Sequence, residues 1–471
     1  MLPESGTSII PAGPDSMRRI PPVSALARAI AGLFLVTSPV WALPPGYLLQ
    51  QVQAGLDYAT TIRFAPDGRL FYTELFSGRI MVLPNGTASN PAVWATVPIA
   101  VGGERGLLGM TLHPQFPDSP FVYVFHTRPS PVYNRIARLR DQNGVGVDYT
   151  VLVDSLYANA IVHFGGRLAF GPDQMLYVTS GDCGFTTAPQ DPSNTLGKIL
   201  RFGPGGRPAP DNPFGANNPV YALGVRNPYG LCFDPATGYG YFTDNGTTCD
   251  DEVNRMMVGE NYGWGSEDFC GGQPPGTYEA MTSITPTVGL TGCAVYRGTA
   301  YPGYDGNLFM GTYSQASVQR VVFHSYPSSS VVDTIETWVT LPTPEAHVID
   351  VTQGPDGRVW FSTFDQIWRV LEPANTPVAV DGAPPRTELT VAPNPSYGRV
   401  TFGLPEAGAL DALEIVDVGG RRVRTWSAPL GGTLTWDGLN DGGRAAGPGV
   451  YWVRALRSGR PICRRLVRIA R

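Results

Sequence analysis

Six times along this 471-residue chain the same short phrase returns: an apolar residue, a turn of Pro with Asp, Gly or Asn, and a short strand of alternating side chains. It stands first at Phe64-Ala-Pro-Asp-Gly-Arg-Leu-Phe-Tyr-Thr-Glu. It follows at Leu112-His-Pro-Gln-Phe with Phe121-Val-Tyr-Val-Phe, and at Phe170-Gly-Pro-Asp-Gln-Met-Leu-Tyr-Val-Thr. Phe233-Asp-Pro-Ala-Thr-Gly-Tyr-Gly-Tyr-Phe, a looser Tyr301-Pro-Gly-Tyr-Asp-Gly-Asn-Leu-Phe and Gln353-Gly-Pro-Asp-Gly-Arg-Val-Trp-Phe-Ser-Thr complete the set. Proline presets φ at one turn position and Gly or Asn tolerates the left-handed region at another, so each phrase reads as a hairpin. The marker prolines Pro66, Pro114, Pro172, Pro235, Pro302 and Pro355 lie 48, 58, 63, 67 and 53 residues apart. That spacing leaves room for one four-stranded sheet and its loops per repeat, and predicts an all-β chain with a six-bladed β-propeller. An irregular sandwich has no reason to repeat one hairpin six times.

Such a ring closes by pairing its two ends, here the strand around Tyr47–Val52 with Ile367–Leu371, which removes an open sheet edge. No segment sustains a helical apolar period. Gly and Pro together make up 102 of 471 residues, but a 42% hydrophobic fraction is ample for a core, so they serve turns. The Pro-rich stretch from Glu372 to Pro385 reads as a linker. Beyond it, the alternating runs Val400–Leu404, Leu413–Val418 and Val450–Leu456 predict a small β-sandwich. The expected organisation is thus a propeller over residues 43–372, a linker over 373–385 and a sandwich over 386–471. The last unit carries 13 arginines against 7 acids.

The first 42 residues read as an export signal. Met17-Arg18-Arg19 supplies a basic segment, Ala25–Val36 an apolar one broken by Arg28, and Val40-Trp41-Ala42 a cleavage site, with residues 1–16 as an over-long start. Periplasmic, cell-surface or secreted location follows, with no later stretch able to span a bilayer. A net charge of −5 gives no electrostatic case for nucleic acid or an anionic membrane. Lys198 is the single lysine among 34 basic residues. Six cysteines in an oxidising compartment predict disulfides, and the absence of a C-x-x-C pair argues against a thiolate zinc site. Spacing does not fix the connectivity; Cys232 with Cys249 and Cys270 with Cys293 are the pairings guessed.

Four runs, in order, resemble the soluble quinoprotein glucose dehydrogenase and aldose-sugar (sorbosone) dehydrogenase family. They are Gly103-Glu-Arg-Gly-Leu-Leu-Gly-Met; His163-Phe-Gly-Gly-Arg-Leu-Ala-Phe-Gly-Pro-Asp with Ser180-Gly-Asp182; Leu196-Gly-Lys-Ile-Leu-Arg201 with Asp211-Asn-Pro; and Gly224-Val-Arg-Asn-Pro-Tyr-Gly230 followed by Asp250–Asn254 and Gly259–Trp264. The resemblance implies a six-bladed propeller that oxidises the C1 hydroxyl of an aldose sugar by passing hydride to pyrroloquinoline quinone (PQQ), with an unspecified electron acceptor thereafter. It makes His163 the general base, Asp182 the carboxylate that orients it, and Arg226 the cation facing the reduced quinone. Glu104 would face the substrate. Asn227, Asn245 and Thr287 would contact the cofactor. The carbonyls of Gly246 and Thr247 would hold a calcium ion at the quinone, and Glu252 with the Tyr262 carbonyl a second, structural one. The Gly259–Trp264 run is expected to serve turn and core rather than chemistry.

The chain also departs from the family pattern. The cofactor's three carboxylates are held in the family by a lysine and two arginines, whose positions fall here at Ser314, His347 and Ile349. Val225 and Tyr229 replace a His and a Gln, and Val162 a polar residue. Arg297 or Arg320 would be the substitutes. A second reading therefore stands beside the enzyme: a calcium-stabilised propeller, like the hedgehog-interacting proteins, that binds a glycan or protein partner. The C-terminal unit, through Pro393-Asn-Pro, Val418-Gly-Gly-Arg, Leu434-Thr-Trp-Asp-Gly438 and Gly449-Val-Tyr-Trp, resembles Ig-like secretion-tail domains, implying contact with a secretion machinery.

Overall fold

The computed structural model describes residues 43–373 and 389–468, apart from 85, 87–89, 266–269, 271–272, 325, 328–330, 344–345, 393–395, 397, 405–409, 431–432 and 458–459. The expected leader, and nearly all of the linker, lie outside the described residues. The chain divides into two compact units, Met1–Ala374 and Asn375–Arg471. Both are built from strands, and the one helical element among the described residues is a single 3-10 turn at Ala188–Gln190.

The first unit contains six four-stranded antiparallel sheets. Their first strands are Ala59–Phe64, Leu107–Leu112, Gly165–Phe170, Pro228–Phe233, Leu290–Val295 and Asp350–Gln353. Each first strand lies against that of the next sheet, and the sixth lies against the first. The sixth sheet takes its outer strand from the start of the unit: Leu48–Ala54 pairs with Gln366–Leu371, Leu48 opposite Leu371 and Leu49 opposite Val370. That is the closure expected from the sequence.

Why these residues make these sheets is visible at the recurring turns, which in all six sheets join the first strand to the second. At the three turns where Asp follows the Pro, its carboxylate caps the turn: Oδ1 of Asp67, Asp173 and Asp356 accepts the amide of Arg69, Met175 and Arg358. The left-handed position falls to Gly68, Gln174 and Gly357. Between every pair of adjacent sheets lies one apolar cluster. Phe71, Ile80 and Trp94 of the first meet Met110 and Val124 of the second, for example, and Tyr177 and Ile199 of the third meet Leu231 and Phe242 of the fourth. Strands buried on both faces explain runs such as Leu70–Glu74, buried at all five positions.

At the centre, the buried guanidinium of Arg167 ties four sheets together. It donates to the carbonyls of Thr60, Tyr229 and Ile349 and to the Thr61 hydroxyl. In the second unit, a three-stranded sheet (Thr390–Ala392, Val400–Gly403, Thr433–Trp436) and a four-stranded one share a core of Phe402, Trp436, Leu413, Ile415, Val453 and Leu466.

A disulfide is present, as the cysteine count predicts, but the pairing is not one of those guessed. Cys249 is bonded to Cys270, which excludes both guessed pairings; the bond joins the loop after the second strand of the fourth sheet to the loop after its third, whereas Cys232 and Cys293 lie on first strands.

Candidate active site

The loops before the first strands and after the second strands all emerge at one end of the sheets. Glu104, His163, Arg226, Thr287 and His347 precede first strands, while Asp182, Asn245, Gly246, Tyr313 and Phe364 follow second strands. Sequence-distant residues are thereby gathered at one mouth.

His163 is held in the left-handed region, φ +58°, by bonds on both sides of its backbone. Its amide donates to Oε2 of Glu104 at 2.8 Å, and its carbonyl accepts the amide of Cys183. Glu104, expected to face substrate, is therefore also a strut for the base. Burial pushes its carboxyl above the ordinary range, against the pull of His163 and its amide, the Phe164 amide and Arg226. Gly181 is required by this packing, because a Cβ there would lie 2.1 Å from the His163 carbonyl oxygen.

The imidazole Nδ1 lies 2.7 Å from Oδ1 of Asp182, which also accepts the Gly184 amide at 2.8 Å. An ionised carboxylate only accepts, so Nδ1 carries a proton, and in the neutral ring the lone pair is on Nε2. Burial alone would raise the Asp182 carboxyl. The bonds from His163, Gly184 and Trp264 outweigh it and hold the group below the usual carboxylate range. The Trp264 indole donates to Oδ2 of Asp182 at 2.8 Å, and Arg226 stacks over its ring at 5.4 Å. The Gly259–Trp264 run thus supplies a site residue, contrary to expectation; nothing in its turn-rich pattern marked the indole as a donor.

Asp182 joins the base to Arg226 as well, since its amide donates to the Arg226 carbonyl at 2.8 Å. Asp244, missed in the sequence, fixes the Arg226 and Asn227 amides through Oδ2 at 2.8 Å and Oδ1 at 2.7 Å. Asn227 accepts the Gly165 amide at 3.3 Å, and its carbonyl accepts from Asn245. Asn245 keeps a buried Oδ1 without a partner. Thr287 is half-buried on the same rim, its amide donating to the Thr248 carbonyl.

The calcium donor sets are hard oxygens, as calcium prefers. Gly246 uses its carbonyl to accept Arg226 Nη1 at 2.7 Å, while Thr247 is exposed. Around Glu252, which accepts from Asn254 and Gln273, the Asn254 Oδ1 is buried with no partner, an orphan that a cation would satisfy. Tyr262, on the loop after the fourth sheet's third strand, is buried, its hydroxyl donating to the Arg255 carbonyl. Among the described residues no three His, Cys, Asp or Glu side chains converge as a metal cluster.

None of the three positions where the family keeps cations holds a fixed positive charge. Ser314 is exposed and donates to the Val288 carbonyl at 2.7 Å. The His347 ring lies flat on Tyr313, centroids 3.9 Å apart, with Nδ1 2.7 Å from the Tyr313 carbonyl. Ile349 is buried. Neither expected substitute serves. Arg297 leaves the far end of its strand to pair with Asp234 and Asp305, and Arg320 pairs with Glu336 at 2.9 Å and covers Tyr304. Lys198 is buried, its amine donating to the carbonyls of Ala188, Pro189 and Leu196.

That side of the mouth is aromatic instead. Tyr58 packs against Phe76 and Phe364, each at 4.8 Å, and Phe364 sets its edge to His347 and Tyr313. The Tyr313 hydroxyl is pushed up to about 12, by burial first and then by Tyr229, Tyr58 and Glu104. A planar tricarboxylate would meet a guanidinium at one edge and rings at the other. The residues fit its dione edge and do not fit its carboxylate edge.

An imidazole–carboxylate pair beside a guanidinium, in the mouth of a ring of antiparallel sheets, is an arrangement that can take a proton from a bound hydroxyl. Residues 56–370 match the Glucose / Sorbosone dehydrogenase family, and the chain belongs to it. Quinoprotein glucose dehydrogenase B of Acinetobacter calcoaceticus is 30% identical over 245 residues, 45% of this chain and 51% of that protein. Aldose sugar dehydrogenase YliI of Escherichia coli strain K12 is 24% identical over 362 residues, 72% of this chain and 96% of its own. The PQQ-bound structure of aldose sugar dehydrogenase from Streptomyces coelicolor aligns with a TM-score of 0.61 at 26% identity, covering 70% of this chain and 99% of that one. Among the described residues no helix is long and apolar enough to cross a membrane.

Proposed function

We propose that this chain is an exported dehydrogenase, built on a six-bladed β-propeller, that oxidises the C1 hydroxyl of an aldose to the lactone. Family membership supports an oxidoreductase acting on a sugar CH–OH group. The observation that carries the residue assignment is the 2.7 Å bond between His163 and Asp182. Nε2 of His163 takes the C1 hydroxyl proton as hydride leaves carbon. Asp182 stabilises the resulting imidazolium and keeps the ring turned. Glu104 orients the sugar through the carboxylate oxygen not bound to the His163 amide. Arg226 provides the fixed positive charge for negative charge that develops in the mouth.

In the quinoprotein relatives the bound quinone supplies the hydride acceptor. Arg226, Asn227, Asn245 and Thr287 would hold such a group at its dione edge, the Gly246 and Thr247 carbonyls would hold a calcium ion that polarises it, and Glu252 with the Tyr262 carbonyl would hold a second, structural one. Three charge-assisted bonds are missing from the other edge. At about 1.5–3 kcal/mol each, their loss weakens quinone binding by several decades. The test is dye reduction by the purified chain with PQQ, calcium and a panel of aldoses. Aldose-dependent reduction that needs PQQ at unusually high concentration supports the reading, and its absence at any PQQ concentration rejects it.

The aromatic side of the mouth favours a second reading, in which the rings of Tyr58, Tyr313 and Phe364 stack on a glycan that is bound and not oxidised. Glycan binding with no redox turnover would select it. The remaining assignments are an export signal cleaved after Ala42 and an Ig-like sorting sandwich over 386–471. Deleting 386–471 and locating the protein tests the sandwich's role.

A further inference from the structure

Two thiols that the mouth does not use face each other at the other end of the sheets. Cys232 stands on Pro228–Phe233 of the fourth sheet and Cys293 on Leu290–Val295 of the fifth, with their Sγ atoms 3.3 Å apart. These two first strands are neighbours, and Gly230 lets them approach, since a Cβ there would lie 2.4 Å from the Thr291 carbonyl oxygen. Both residues line a cavity of about 650 Å³. It is walled by the last residues of the first strands and by the recurring turns at Pro66, Pro114, Pro235 and Pro355, so it opens away from His163. Cys293 is buried and Cys232 half-buried. The other cysteines are elsewhere: Cys249 and Cys270 are bonded to each other, Cys183 is buried below His163, and Cys463 belongs to the second unit.

We propose that Cys232 and Cys293 form a redox-active dithiol that a small disulfide oxidant, entering this cavity, converts to a second intrachain disulfide joining the fourth and fifth sheets. The gap exceeds a sulfur–sulfur bond of about 2.05 Å by little more than one ångström, within reach of side-chain rotation. The thiolate of Cys232, the more accessible of the two, attacks a sulfur of the oxidant and expels one thiolate. Cys293 then attacks Cys232 Sγ in the mixed disulfide and expels the second. The chain loses two protons and two electrons, and the oxidant leaves as two thiols. The bond would link strands whose other ends lead to Arg226 and Thr287, on the opposite rim.

The experiment uses the full chain and oxidised glutathione. After incubation, remaining thiols are alkylated under denaturing conditions and the digest is read by mass spectrometry. The expected product is a peptide linking Cys232 to Cys293, lighter by two hydrogens, with Cys183 and Cys463 alkylated. The linked chain should melt on the order of 5 °C above Cys232→Ser treated alike, which keeps Cys249–Cys270 intact. Full alkylation of Cys232 and Cys293 in the treated wild-type chain, a stable glutathione adduct on either, or a bond from either to another cysteine would overturn the proposal.

Discussion

Trp264 donates its indole N–H to the far oxygen of Asp182, the carboxylate whose near oxygen takes His163. The His163–Asp182 pair is therefore held by a residue 101 positions beyond His163 in the sequence, on the loop after the fourth sheet's third strand. Trp264→Phe keeps the ring under Arg226 and removes only the donor. We expect turnover with an aldose to fall roughly ten-fold, the worth of one bond to a charged acceptor, with KM nearly unchanged. A ten-fold rise in KM with kcat unchanged would show that the indole binds sugar instead.

Gly181→Ala should be far more severe. The added methyl meets the His163 carbonyl at 2.1 Å, and the loop must move. Activity at least a hundred-fold lower, with a melting temperature close to the parent, would locate the damage at the base. Wild-type turnover would show that the loop adapts freely.

Arg167 is a structural pin, and Arg167→Met leaves the carbonyls of Thr60, Tyr229 and Ile349 without their donor in a buried centre. A loss of about 3–5 kcal/mol in unfolding free energy is expected, measurable by denaturant titration of the first unit.

Acid should find Asp234. Burial opposes its ionisation, but Arg297, Thr237, Tyr326 and the Ala236 amide hold its carboxyl well below the ordinary value. Its folded pKa is thus lower than its unfolded one. The stability it contributes is complete above about pH 4 and is lost as pH falls from there through the folded value. In Asp234→Asn the melting temperature should be lower at neutral pH and should fall less steeply below about pH 4 than in the parent.

Calcium should raise the melting temperature of the full chain, and chelation should reverse the rise. Glu252→Gln, which removes the charge beside the orphaned Asn254 oxygen, should abolish most of it. An unchanged shift in that variant would place the ion elsewhere.

The sheets were legible because their turns repeat: a Pro, Asp and Gly phrase is local chemistry, and each one joins the first two strands of a sheet. The closing pair was legible for a different reason, since an unpaired edge is costly. His163, Asp182, Glu104 and Arg226 could be named from motif order and do meet at one mouth. What escaped was contributed through tertiary placement. Trp264 lies in a turn-rich run, Arg167 in a strand whose pattern reads as plain core, and Tyr58, Tyr313 and Phe364 come from three separate sheets. Cysteine pairing was not legible either, because spacing does not say which loops meet: Cys249 pairs with Cys270 across two loops of the fourth sheet, while Cys232 lies on a first strand.

The measurement that bears hardest on the site is dye-coupled oxidation of an aldose deuterated at C1, in the presence of PQQ and calcium, by the parent chain and by His163→Ala. We expect turnover several-fold slower with deuterium than with hydrogen in the parent, and at least a hundred-fold loss in the variant. Aldose oxidation by His163→Ala at the parent's rate, or none by the parent at saturating PQQ, would contradict the assignment.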